Sequence, residues 1–299
     1  MTTAFDPARH SAYSDPGACA DLLAAVPPEP SHLSAVARNV IVHYWASGID
    51  LPAATRDDVN LRWLSRILAA DQDRHEAPLS HPRAPVERVQ GCCRDHTLFG
   101  VGVLRHHGVQ ARSRVGFAGY FTPGHRHDHV IVEWWDTGVG RWVRFDPELE
   151  SGREAVPDPL DLATGPGAPF ESAAEAWGRY RAGEIDPSTY AVQPGSDIGG
   201  PWFIHSYVLL EVAHRYGDEL LLWDTWGAMR APDEVEDPEK ATLIDRVAEL
   251  IVRADAGDNG AEAELHDWYV ADPRLHPGER VLRFSPVSEE PVEEHLRLS

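Results

Sequence analysis

The sequence predicts an α+β fold in which a cysteine-bearing helix packs on an antiparallel sheet, with helices before it and a mostly helical extension after it. Three observations predict this. Leu98, Val101 and Leu104, with Phe99 and Val103 beside them, form an apolar stripe at helical spacing that stops at Gly108, placed as a left-handed C-cap. Three β-rich runs follow, at 110–117, 130–135 and 142–145, the last two joined by the turn Thr137-Gly138-Val139-Gly140. Beyond Pro147 the chain turns to proline, glycine and aspartate as far as Pro169, a surface connection, and then to helical patterns at 171–181, 201–216, 238–254 and 261–270, with one late strand at 281–284.

Ahead of the cysteines, residues 18–26 can form a short helix. A longer one is expected at 31–47, capped by Ser31 or Ser34, with Val36, Val40, Ile41 and Tyr44 on one face. Residues 59–68 continue the helical pattern, and a proline-containing loop at 77–85 leads to Cys92 and Cys93. The helix behind them starts near 91–93. A thiol at that point meets unpaired backbone N–H groups and the positive end of the helix dipole, which favours the thiolate. Cys93 fits this position better than Cys92 because it leads into Arg94, Asp95 and His96 on the first turn; Cys92, one residue back, is expected to face away as packing. Gly100 and Gly102 each cost about 1 kcal/mol of helix propensity against alanine, which points to close approach by another backbone.

His129 heads the second strand and Asp146 ends the third. If those strands pair antiparallel across the short turn, imidazole and carboxylate come to the same end of the sheet. A carboxylate there holds the imidazole's tautomer while the helix start presents a thiol, so nucleophile, base and orienter follow one another in chain order.

These residues carry a resemblance. Gly91-Cys92-Cys93-Arg94-Asp95-His96, Leu104-Arg105, Gly108-Val109-Gln110-Ala111-Arg112, Gly116-Phe117, His129 with Glu133, and Trp142-Val143-Arg144-Phe145-Asp146-Pro147 resemble the transglutaminase-like core. The resemblance implies a papain-like α+β core with Cys93 as nucleophile, His129 as general base and acid, and Asp146 as orienter. Two departures are the paired Cys92 and Ile131, where the family often has Trp. On this reading residues 1–150 hold the N-terminal helices and the core, the core itself about 59–150, and residues 151–299 form a helical extension packed on it as one compact unit.

The 299 residues include 48 acidic and 27 basic ones, a formal charge of −21, with Lys240 the only lysine. Such a surface repels nucleic acid and anionic membrane. Three cysteines, two of them adjacent, make no disulfide scaffold and suggest a reducing compartment, and the start of the chain lacks a basic segment followed by an apolar run. The expectation is a cytoplasmic protein of undetermined oligomeric state, acting on a small-molecule, peptide or acyl-carrier substrate.

Alternatives stand beside each assignment. His125, His127, Asp128 and His129, with His106 and His107, could ligate a metal, but a catalytic zinc would compete for the imidazole that a thiol needs. No metal or cofactor is therefore expected, and His125 and His127 are read as solvated loop residues beside the site. Arg112 and Arg114 are read as ion-paired. The backbone N–H of Cys93 is the first oxyanion donor, with the Gln90 amide as candidate for the second. Trp134, Trp135 and Trp142 near the sheet, and Trp202, Phe203, Tyr207, Trp223 and Trp226 in the extension, could enclose a substrate groove or simply fill core. Two function classes remain: a cysteine enzyme acting on an amide or thioester carbonyl, by transfer to an amine or by hydrolysis, and an idle protein-binding module that keeps the fold.

Overall fold

The structure, a computed structural model, describes residues 5–150, 152, 156, 158–165, 167–232 and 234–296. Residues 1–4 at the start of the chain, and 151, 153–155, 157 and 166 of the expected surface connection, lie outside the described residues. The elements run α1 (Ala20–Ala24), α2 (Pro30–Val40), β1 (Ile41–His43), α3 (Leu64–His75), β2 (Val89–Gly91), α4 (Cys93–His106), β3 (Ala111–Ala118), β4 (His127–Asp136), β5 (Arg141–Phe145), β6 (Phe170–Ser172) and α5 (Ala173–Arg181). After these come α6 (Pro201–Arg215), β7 (Asp224–Thr225), α7 (Pro238–Asp255), α8 (Asn259–Ala271), β8 (Arg280–Arg283) and β9 (Val292–His295). The expected α+β class is what the chain adopts.

The central sheet has the order β5-β4-β3-β6, every pair antiparallel. Val132 pairs with Phe145 across the β4–β5 turn, so the ends carrying His129 and Asp146 lie together. Helix α4 packs on β3 and β4. Thr97 donates from Oγ1 to the Val130 carbonyl at 2.8 Å, and the Val132 side chain fits against Gly100. Gly108 at φ +73° ends the helix as expected. Helix α6 lies on β3, where Phe117 stacks on Tyr207 and Ser113 meets His214. One apolar cluster runs from Leu33 and Leu64 through Leu98, Val115 and Val132 to Val208, Ile244 and Leu265.

Several expectations are corrected. The second helix ends at Val40, because Ile41-Val42-His43 pairs in parallel with Val89-Gln90-Gly91. A β-branched pair finds strand partners there, and the following Tyr44 N–H donates to the Gly91 carbonyl at 2.8 Å. The helical pattern at 59–68 is broken: residues 53–60 form a 3₁₀ turn, and α3 starts only at Leu64, whose N–H is held by the Tyr13 carbonyl. What crowds Gly100 and Gly102 is side chain more than backbone, Val132 and Leu33 at the first and Leu64 at the second. Phe170–Ser172, read as connection and helix start, is a strand on β3, and β7 and β9 flank the late strand expected at 281–284. No helix among the described residues is long and apolar enough to cross a membrane.

Candidate active site

The start of α4 is fixed from beneath by charge. Cys92 is the N-cap, and its N–H donates to Asp95 Oδ2 at 2.8 Å. Asp95 Oδ1 accepts from Arg94 at 2.9 Å, and the buried Arg94 guanidinium also donates to the carbonyls of Arg62 and Glu219. Cys93 therefore occupies the first helical position, where its own N–H lies outside the helical hydrogen-bond ladder and is free to serve a developing oxyanion.

His129 and Asp146 meet as the pairing of β4 and β5 requires. Nε2–H of His129 donates to Asp146 Oδ2 at 2.7 Å, which leaves Nδ1 to take a proton. Asp146 is fully buried and fully satisfied: Tyr120 donates its hydroxyl to Oδ2 at 2.7 Å, and the Glu148 N–H donates to Oδ1 at 2.9 Å. Cys93, Cys92 and His129 line one cavity of about 360 Å³, within the range of small-molecule sites.

A second carboxylate stands on the other side of the imidazole. Glu148 Oε2 lies 4.0 Å from His129 Nδ1, while its Oε1 pairs with His96 Nδ1 at 3.0 Å. Burial opposes the charge on Glu148, yet His96, His43 and His129 hold its carboxyl far below the usual range. Burial would likewise lower His129, but Asp146, Glu148 and Asp128 raise its imidazole above the ordinary value. The thiol departs from expectation. The hydrogen-bonded Cys92 sulfur, burial, and the charges of Glu148 and Asp128 push Cys93 well up, so the resting group is the thiol and not the thiolate.

The remaining candidates fall in different places. Cys92 does not face away; it lines the cavity beside Cys93. Gln90 is turned from it, its amide donating to the Pro52 carbonyl and to Thr55 Oγ1, both at 2.9 Å. Trp134 packs on the core, Trp135 and Trp142 pair edge to face, and Arg112 lies over Trp142, so none of the three lines the cavity. Trp202 also lies outside it, whereas its helix neighbours Phe203 and Tyr207 and the distant Trp223 are in the wall. His125 is buried with Nε2 at the Ala191 carbonyl, and His127 lines the cavity, so neither is a solvated loop residue. Arg112 and Arg114 are ion-paired as expected, with Glu133, Asp255 and Glu211.

Tyr120, Glu148 and His96 are site residues that the sequence reading leaves out, although Glu148 follows Asp146 by two positions and His96 follows Cys93 by three. Three ligand atoms from His129, Asp146 and Glu148 lie within 4.8 Å of one another and could hold a metal ion, a different set from the His125 and His127 cluster.

Residues 60–147 match the transglutaminase-like superfamily. A solved structure of a candidate cysteine protease from Cytophaga hutchinsonii shares 17% identity at a TM-score of 0.32, covering 56% of this chain and 45% of that one. The chain thus spans less than half the length of that protein. No curated protein matches the chain.

Proposed function

We propose, from the match of residues 60–147 to the transglutaminase-like superfamily, that the protein is a cysteine enzyme that acylates Cys93 and passes the acyl group to an amine. The observation that carries this reading is the buried dyad of His129 and Asp146, joined at 2.7 Å, opening on the cavity that also holds Cys93.

The chemistry follows from the protonation states. With the thiol neutral at rest, His129 Nδ1 takes the Sγ proton as sulfur attacks the carbonyl carbon of an amide or thioester. A C–S bond forms, and the oxyanion is met by the Cys93 N–H. Collapse breaks the bond to the leaving nitrogen or sulfur, which takes the proton back from Nδ1. Asp146 holds the Nε2–H throughout and stabilises the imidazolium, as in other triads of this logic. A neutral amine then attacks the thioester, gives its proton to Nδ1, and frees the thiol.

Transfer in preference to hydrolysis is supported by the cavity wall. Tyr44, Trp45, Phe121 and Trp223 line the cavity that holds the thiol, and water at about 55 M is outcompeted where an amine is held in attack geometry at an effective molarity of ~10⁵ M or more. Product ratios with and without millimolar primary amines test it. The amide product is expected to grow at the expense of the acid; acid that persists undiminished across varied amines would make the enzyme an amidase or peptidase.

A further inference from the structure

The cavity's charges do not all find partners. His129 is paired with Asp146, and Glu148 with His96. Asp128, the residue before His129, also lines the cavity, and among the described residues its Oδ2 accepts only the Tyr207 hydroxyl, at 2.5 Å. No Lys or Arg lines the cavity among the described residues, and no ion pair to Asp128 forms among them. The other two cavity imidazoles are engaged: His127 by the Val192 carbonyl at 3.0 Å and Thr122 Oγ1 at 2.9 Å, and His43 through Nδ1, which accepts the Trp45 and Ala46 N–H groups. An anionic substrate would find no lysine or arginine among these lining residues.

Resting on the reading of Cys93 as nucleophile, we propose that Asp128 and the aromatic wall of Tyr44, Trp45, Phe121 and Trp223 recognise an organic cation, an ammonium or guanidinium group carried by the substrate. A carboxylate that is partly desolvated and lacks a counter-ion binds such a group through a charge-assisted hydrogen bond. Aromatic faces around a cation add attraction of their own, most when water is excluded. The phenol of Tyr207 holds Oδ2, so that Oδ1 is the oxygen left for the ligand. The cation could belong to the acyl donor or be the distal end of the acceptor amine; the chemistry of recognition is the same, and selectivity in each half-reaction separates them.

The test needs no turnover. Phenethylammonium and 3-phenylpropanoate, similar in size and opposite in charge, are titrated calorimetrically into the Cys93→Ala protein. Phenethylammonium is expected to bind at least ~10-fold more tightly, and Asp128→Asn in the same background to weaken it ~10–100-fold, the size of one buried charge-assisted hydrogen bond. Equal affinity for the two probes, or tighter binding of the carboxylate, overturns the proposal without recourse to any Asp128 variant. So does an Asp128→Asn protein of unchanged circular dichroism that binds phenethylammonium as before. A second arm compares cationic, neutral and anionic acyl donors with water as acceptor, and then the same three classes of acceptor with a neutral donor. Cation selectivity in the first series places the charge on the donor, in the second on the acceptor, and in neither it overturns the proposal. Failure of every donor to acylate Cys93 while phenethylammonium still binds would instead remove the enzymatic reading and leave the cation site standing.

Discussion

At Cys93 two effects oppose each other. The helix N-terminus favours the thiolate by about 0.3–1 kcal/mol where exposed, whereas the Cys92 sulfur, burial and two neighbouring carboxylates favour the thiol and raise its pKa. The second set wins. The step therefore depends on His129 being unprotonated when substrate arrives, so kcat/KM rises with pH through a value above the usual 6.5 of histidine. Asp146 is the foremost of the groups that raise it. Asp146→Asn should move this acid limb to lower pH and cost kcat about 10²–10⁴-fold, since the amide neither stabilises the imidazolium nor fixes the same tautomer. A pH–rate profile of the variant checks both; an acid limb that stays in place would show that Asp146 does not face the titrating group. The order Cys93, His129, Asp146 and the shared sheet end of the last two were legible in the sequence, because strand pairing across a short turn leaves little freedom. The raised thiol was not, since the contact with the Cys92 sulfur, the burial and the charges of Glu148 and Asp128 come together only in the folded chain.

Among the elements, α4 was the most legible, its apolar stripe and Gly108 setting both its face and its end. β1 was the least, because Ile41 satisfies a helical stripe with Val40 and Tyr44 as well as a strand, and the choice rests on Val89 and Gly91, almost fifty residues later. The same pairing explains Gln90. Its side chain points to the opposite face of the strand from that of Val89 and reaches the 3₁₀ turn at 53–60, where Thr55 takes its amide. β6 escaped notice because three residues carry no period, yet its seat on β3 is close-fitting. A Cβ on Gly116 would stand 2.1 Å from the Glu171 carbonyl oxygen and 2.8 Å from Ser172 Cα. Gly116→Ala should therefore push β6 from the sheet and cost about 1–3 kcal/mol, read as a lowered urea midpoint. Stability within ~0.5 kcal/mol of wild type, the range of surface changes, would mean that β6 is not held there.

Across the whole molecule, buried charge joins the sheet to the C-terminal helices. Arg114 reaches Glu211 on α6 and Asp255 on α7, Arg215 of α6 reaches Asp255 and Glu262 of α8, and Glu133 takes Arg112 and Arg144. Two imidazoles of α6 are buried neutral: burial takes His214 down to about 3 and His205 to about 4. His214 accepts from Ser113 Oγ at Nδ1 and donates from Nε2 to the Leu220 carbonyl. Because its folded pKa lies below the unfolded value near 6.5, its contribution is fully present above about 6.5 and is lost as pH falls towards about 3. At pH 5.5 that loss is about 1.4 kcal/mol. Glu211, which burial lifts to about 7, works in the opposite sense and loses stability as pH rises through that value, so the informative quantity is a difference. Between pH 7.5 and 5.5, His214→Gln should lose about 1.4 kcal/mol less than wild type in urea unfolding; equal losses would show that His214 is not buried neutral.

Intact-mass spectrometry followed by peptide mapping tests whether Cys93 carries the acyl group. After incubation with a panel of acyl thioesters and activated amides, wild type and Cys92→Ala should each gain one acyl mass located on residue 93, and Cys93→Ala should gain none. An adduct that survives Cys93→Ala and disappears with Cys92→Ala would make Cys92 the nucleophile and remove Cys93 from that role.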